Sequence, residues 1–254
     1  MKNFIEAVNH LQAICFEVYL RVASSLTAGT SEKEVEQKVI KNLSQFGIKK
    51  FWYDIGVMVL IGEKRFNDMY RKDYKLKSPS DSVLLTPGDT IFIDMHPMDS
   101  GANWGDYNSM AVFKPRKEDN EKVSFLKLIY EIHREGIANL NSQMTGTDVY
   151  AWYKNRYQKE GIKFADTRRN IGHTMHQGAK KYPGGEDKRI FLRSDNKTSI
   201  AGSILAIEPD GYKMNQEGNT KLFGRFEDCV YIPLSGKPII LGRKETVPLV
   251  FKFI

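Results

Sequence analysis

The stretch that most constrains this chain is Asp89 to Phe113, DTIFIDMHPMDSGANWGDYNSMAVF. It reads as two strands. Thr90-Ile91-Phe92-Ile93 is strongly apolar and runs into Asp94, and Tyr107 to Phe113 follows Asp106. Gly101, Asn103 and Gly105 supply turn chemistry between them. A carboxylate at the end of a buried apolar strand is costly unless it is protonated, paired or bound to metal. A hairpin that aims two carboxylates at one point therefore suggests a cation more than it suggests a folding device.

The rest of the chain supplies helices and more strands. Phe4, Val8, Leu11, Cys15, Val18 and Val22 recur at spacings of three and four, the pattern of an amphipathic helix ending before Gly29. Ser31 and Glu34 form a capping-box pattern ahead of a second helix that carries Val35, Val39, Leu43 and Phe46 and stops at Gly47. Residues 51–62 read as a buried strand and residues 63–88 as a long polar loop; whether its residues, such as Arg65 and Tyr70, close over a site is left open by the sequence. Asn120 is the expected cap of a third helix, and a fourth runs from near Thr147 to Gly161. Apolar strands follow at Ser203–Ile207, ending in Glu208, and at Phe223–Ile232, which contains Glu227; the tail from Lys237 to Ile254 reads as a final strand or two.

The two halves are alike. Ala28-Gly29-Thr30 matches Thr145-Gly146-Thr147, Gly47-Ile48-Lys49 matches Gly161-Ile162-Lys163, and Pro87 to Asp94 matches Ala201 to Glu208. The last two pairs share an offset of 114 residues, which lays Asp94 on Glu208. A duplicated helix-helix-strand unit is expected, with pseudo-repeat halves of about 1–115 and 116–254 in a single domain spanning 1–254. A pseudo-twofold would bring the acids of both halves to one centre.

Bulk properties exclude several classes. A chain of 254 residues with 41% hydrophobic and 27% charged residues is an ordinary globular composition, large enough to bury a sizeable core. No apolar run approaches a bilayer span, and Glu6, His10, Glu17 and Arg21 interrupt the region where a signal peptide would be apolar. Cys15 and Cys229 lack partners at metal spacing and read as buried reduced thiols, so a cytoplasmic location is expected. The net charge of +7 is spread out, and its clusters at Lys64–Lys77 and Lys180–Arg193 are broken by acids. Solvated loops account for them more simply than a nucleic-acid surface does.

Four acids lie on or beside apolar strands: Asp94, Asp106, Glu208 and Glu227. Two divalent cations would neutralise them, and His173, after Gly172, is suited to complete such a site. Carboxylates with one imidazole suit Mn, Fe, Co or Zn. The motifs IFIDMHP, WGDYNSMAVF, NIGHTMHQG, LAIEPDGY and GRFEDCVYI resemble those of the pita-bread metallopeptidases, the family of methionine aminopeptidases, prolidases and creatinases. The resemblance covers nearly the whole chain, without the N-terminal domain of the longer members.

That resemblance implies an α+β pita-bread fold around a curved antiparallel sheet and a dinuclear metal hydrolase. Asp106 and Glu227 would bridge two metals, Asp94 would bind one, and His173 and Glu208 would complete the other. A shared hydroxide would attack the scissile carbonyl of a small peptide or peptide-like substrate, with Glu208 relaying its proton. Two departures stand out. The substrate-side histidine that follows the metal-binding one by seven residues is Lys180 here, and residues 56–88 contain no histidine. Lys180 can donate to an oxyanion but cannot shuttle protons as imidazole does. His96, two residues past Asp94 and before Pro97, and His176 are candidates for second-layer or substrate contacts; Trp104 and Tyr212 are candidates for a pocket wall. The alternatives to peptidase activity are a family member repurposed for a non-peptide small molecule in a biosynthetic pathway and an inactive fold binding RNA or protein. The oligomeric state is open, a homodimer included.

Overall fold

The computed structural model describes residues 2–67, 78–164, 170–180, 187–218 and 220–242. The chain opens with helix α1 (Lys2–Ser24), which buries Val8, Leu11, Cys15, Val18 and Val22 as the spacing requires. Helix α2 (Glu32–Gln45) carries the expected capping box: Ser31 accepts from the Glu34 amide and Glu34 accepts from the Ser31 amide. Strand β1 (Lys50–Phe51) is separated by a bent segment from β2 (Val57–Ile61), so the strand expected over residues 51–62 is confined to its apolar end. The short helix α3 (Glu63–Asn67) stands where a loop was expected. Its Arg65 makes two hydrogen bonds to the buried Glu32 carboxylate, at 2.9 and 2.7 Å, which commits it to the scaffold; Tyr70 lies outside the described residues.

The acidic hairpin consists of β3 (Thr90–Met95) and β5 (Tyr107–Val112), antiparallel, with Asp94 opposite Asn108. A two-residue strand, β4 (Pro97–Met98), pairs with β1 inside the connection. Strand β2 flanks β3 on its other side. Every residue of β2, β3 and β5 is buried, because helices cover one face and the second half of the chain covers the other.

The second half also runs from two helices into strands. Helix α4 (Asn120–Asn139) starts one residue earlier than expected, with Asp119 rather than Asn120 at the cap position, and α5 (Gly146–Lys159) is capped by Thr145 and Asp148. Then come β6 (Lys163–Phe164), β7 (Gly172–Thr174), β8 (Ile204–Ile207) and β9 (Asp210–Met214). The expected strand over 223–232 is two: β10 (Thr220–Arg225) pairs with β9, and β11 (Asp228–Tyr231) pairs with β8. The chain changes sheets at Phe226-Glu227. Strand β12 (Ile239–Ile240) edges the sheet of order β12-β11-β8-β7, and residues 243–254 lie outside the described part.

The 114-residue offset recurs in the backbone. It lays the Ser31–Glu34 capping box on the Thr145–Asp148 box, and Gly47 (φ 80°) and Gly88 (φ 92°) on Gly161 (φ 63°) and Gly202 (φ 72°). The weakest of the three sequence matches does not survive. Gly29 sits in a turn at φ 88°, whereas Gly146 is the first residue of α5. The caps give the true alignment of that segment.

Both cysteines are buried and free. Burial, then the nearby Asp106 and Glu227 carboxylates, pushes their thiols well up, so they act as small hydrophobes. Among the described residues no helix is long and apolar enough to cross a membrane.

Candidate metal centre

The two halves meet at a cavity lined by Trp52, Tyr53, Asp94, His96, Asp106, His173, Arg189, Glu208 and Arg225, together with Ile55 and Met58. Asp94 arrives on β3, whose buried register leaves the carboxylate facing the second half. Asp106 immediately precedes β5, and its backbone is held from behind: Gln12 of α1 donates to the Asp106 carbonyl at 2.7 Å. His173 enters on β7. Gly172 makes that possible, because a Cβ there would stand 2.0 Å from the Ala206 carbonyl oxygen and its φ is 144°. Close approach at this glycine was legible in the sequence.

The donor atoms crowd around Asp106. His173 Nε2 is 3.3 Å from Asp106 Oδ2, and His96 Nε2 lies 3.3 Å from Asp94 Oδ1 and 3.7 Å from Asp106 Oδ1. Burial alone would raise the Asp106 pKa, but the hydrogen bond from His173 and the charges of His96, His173 and Arg225 bring it below its ordinary value. Glu227, at the sheet change, is fully buried. Its carboxyl is pushed well up, first by burial and then by the charges of Asp106 and Asp94. Asn108 donates to Glu227 Oε2 at 2.7 Å, while Oε1 accepts no hydrogen bond among the described residues. A buried acceptor in that state, beside two other carboxylates, suits a cation.

Asn108 therefore orients the innermost acid. Asn108→Ala is expected to cost about 1–3 kcal/mol in urea unfolding of the metal-free protein, because a buried carboxylate oxygen loses its donor. A midpoint unchanged from wild type would show that this hydrogen bond contributes nothing.

Glu208, just past β8, lines the cavity and is ion-paired with Arg225 of β10, which also lies 3.3 Å from Asp210 through Nε. Arg225 is 3% exposed and was not singled out from the sequence. Its signal was there: the one cation in the expected strand Phe223–Ile232, two residues before Glu227, is costly when buried without an acid partner. Arg189 is the second omission. It belongs to the basic cluster assigned to solvated loops, yet its side chain is 12% exposed, pairs with Asp187 at 2.7 Å and lines the cavity.

The remaining candidates separate. Trp104 is fully buried, stacks on Trp52 at 4.6 Å and 8°, and donates through Nε1 to the Gly178 carbonyl, so it supports the wall that Trp52 forms. His176 bonds Thr174 Oγ1 at 2.7 Å and meets Trp104 edge-on, away from the cavity lining. Burial lowers its pKa. Tyr212 lies on β9 packed against the main core, also outside the lining. Lys180 places Nζ 3.9 Å over the ring of Tyr53, at the cavity's edge.

A model of the family described as metallopeptidase family M24 matches residues 6–233. The chain belongs to this family. Its fold is that of M24 proteins. The X-Pro aminopeptidase of Thermotoga maritima superposes with a TM-score of 0.72 at 18% identity, over 96% of this chain and 62% of that one. The prolidase of Pyrococcus furiosus gives 0.74 at 18%, over 97% and 65%. The methionine aminopeptidase of Rickettsia prowazekii gives 0.73 at 14%, over 96% and 98%. This chain thus spans less than two thirds of the first two and nearly all of the third. Among curated proteins none matches it. M24 enzymes use divalent metals, and in this member Asp94, His96 and Asp106 offer ligand atoms within 4.8 Å of one another.

Proposed function

We propose that this M24 member is a dinuclear metal-dependent hydrolase that cleaves an amide bond in a small peptide or peptide-like substrate, with aminopeptidase or Xaa-Pro peptidase selectivity, in the cytoplasm. The observation that carries the reading is the convergence of Asp94, Asp106, His173 and Glu208 on one cavity, with Glu227 buried beside them and one of its oxygens accepting no hydrogen bond among the described residues. Apart from the imidazoles, Arg225 is the cation in that lining closest to the acids, so two divalent ions balance the charge better than protons do.

In this reading Asp106 and Glu227 would serve both ions, Asp94 would help hold one, and His173 and Glu208 would help hold the other. Mn, Co, Fe and Zn all suit such donors. Bound there, divalent cations polarise a carbonyl and acidify coordinated water at neutral pH. Glu208 accepts the proton released as water attacks and returns it to the departing amine. Arg225 holds Glu208 Oε2, which leaves Oε1 for this work. Trp52 and Tyr53 wall the cavity against bulk water.

One observation favours a second reading, a member repurposed for a non-peptide small molecule. The approach to the cavity carries Lys180, at a position where the family resemblance expects imidazole, over Tyr53, and Arg189 beside Trp52, Tyr53 and Phe191. Permanent cations can hold an anionic substrate group but cannot exchange protons near neutral pH.

Elemental analysis of protein prepared without chelators is expected to find close to two transition-metal ions per chain. Substoichiometric metal that Mn or Co fails to raise would overturn the hydrolase reading. A panel of Met-Xaa, Xaa-Pro and Pro-Xaa peptides at saturating metal then divides the two readings: turnover supports the peptidase, and its absence with full metal loading supports the repurposed enzyme.

A further inference from the structure

The family pattern carried one imidazole to the metals. The cavity holds two, and they are built alike. His173 Nδ1 lies 3.1 Å from the Thr174 carbonyl and His96 Nδ1 lies 3.0 Å from the Ile55 carbonyl. A carbonyl only accepts, so each Nδ1 carries a proton and donates, and each ring turns its Nε2 to the far side. On that side both Nε2 atoms stand 3.3 Å from a carboxylate oxygen, His173 from Asp106 and His96 from Asp94. Trp52 lies between them and meets both rings edge-on, at 5.6 and 5.5 Å. An Nε2 aimed at carboxylate oxygens meets them either through a proton or, as a lone pair, through a cation that both share. A backbone carbonyl on the remote nitrogen is the usual means of aiming a ligating histidine.

The geometry points to His96 as a sixth protein ligand, binding through Nε2 the ion that Asp94 and Asp106 hold. The spacing allows it. Ligands about 2.1 Å from one ion stand about 3.0–4.2 Å apart for angles between 90° and 180°, and His96 Nε2 is 3.3 and 3.7 Å from its two carboxylate partners. Pro97 does not turn the ring away. β3 ends at Met95, and the His96 amide is fixed by the Gly56 carbonyl at 2.9 Å. Each ion then has one nitrogen donor, and the first site moves from an all-carboxylate set, which suits Mn or Mg, toward one that suits Co, Fe or Zn.

This inference rests on the dinuclear reading above, and the test separates the two. Metal-free protein is titrated with Co²⁺ and followed by calorimetry and by paramagnetic proton NMR, in which the N–H of a cobalt-bound imidazole is strongly shifted and exchanges in water. Wild type is expected to bind two Co²⁺ and show two shifted exchangeable signals, and His96→Ala one signal and one site weakened at least about 10-fold. Two bound ions with a single shifted signal in wild type overturn the His96 assignment while leaving the dinuclear centre standing. Failure of wild type to bind Co²⁺ overturns both. The wild-type signal count does not depend on the variant's folding.

Discussion

Glu208→Gln is expected to lower kcat by about 10²–10⁴-fold, on whichever peptide of the panel wild type cleaves, while the protein stays folded. The size is that of a lost general base. The amide keeps the shape of the carboxylate, and Arg225 retains Asp210 at 3.3 Å as a partner, so the site does not collapse around an unpaired guanidinium. Two measurements fix the interpretation. Far-ultraviolet circular dichroism should match wild type, and bound metal should fall by no more than the loss of one charged oxygen allows. A kcat within threefold of wild type, with metal loaded, would show that Glu208 is a partner of Arg225 and not the proton carrier.

The second large effect is one of stability. Gly172→Ala is expected to destabilise the fold by about 3–5 kcal/mol, because the new Cβ must displace the Ala206 carbonyl and the backbone must hold a conformation open almost solely to glycine. The damage would not stay local. Gly172 pairs with Ile207 and His173 with Ala206, so easing the overlap shifts the imidazole and the end of β8 from which Glu208 projects. Urea unfolding reads the first effect and metal affinity the second. A variant with wild-type stability would mean that β7 and β8 separate at little cost.

These two positions also show how much could be read from residues alone. Asp94, Asp106 and Glu208 were legible because carboxylates are expensive on apolar strands, and Gly172 because a glycine before a histidine invites close approach. The capping boxes were legible at Ser31 and reappeared, in better register than the sequence match, at Thr145. What failed to show depends on distance along the chain. Trp52 reaches the cavity because its indole donates to the Gly105 carbonyl at 2.7 Å and stacks on Trp104, contacts between segments with no local periodicity. Arg189 was lost in a run of charges whose composition looks solvated. Arg225 stood out as a costly cation, but residues alone did not name its partners, Glu208 and Asp210, which come from a neighbouring segment. The split of residues 223–232 into two strands was likewise invisible, since a sheet change leaves no break in hydrophobicity.

That sheet change has a mechanical consequence. Arg225 ends the strand that pairs with β9, and Glu227, two residues on, precedes the one that pairs with β8. One short span therefore carries the counter-charge of Glu208 at one end and the acid held by Asn108 at the other. The joint is thus shared by both acids, and a change in the backbone of this span reaches Glu208 through Arg225 and the Asn108 contact through Glu227.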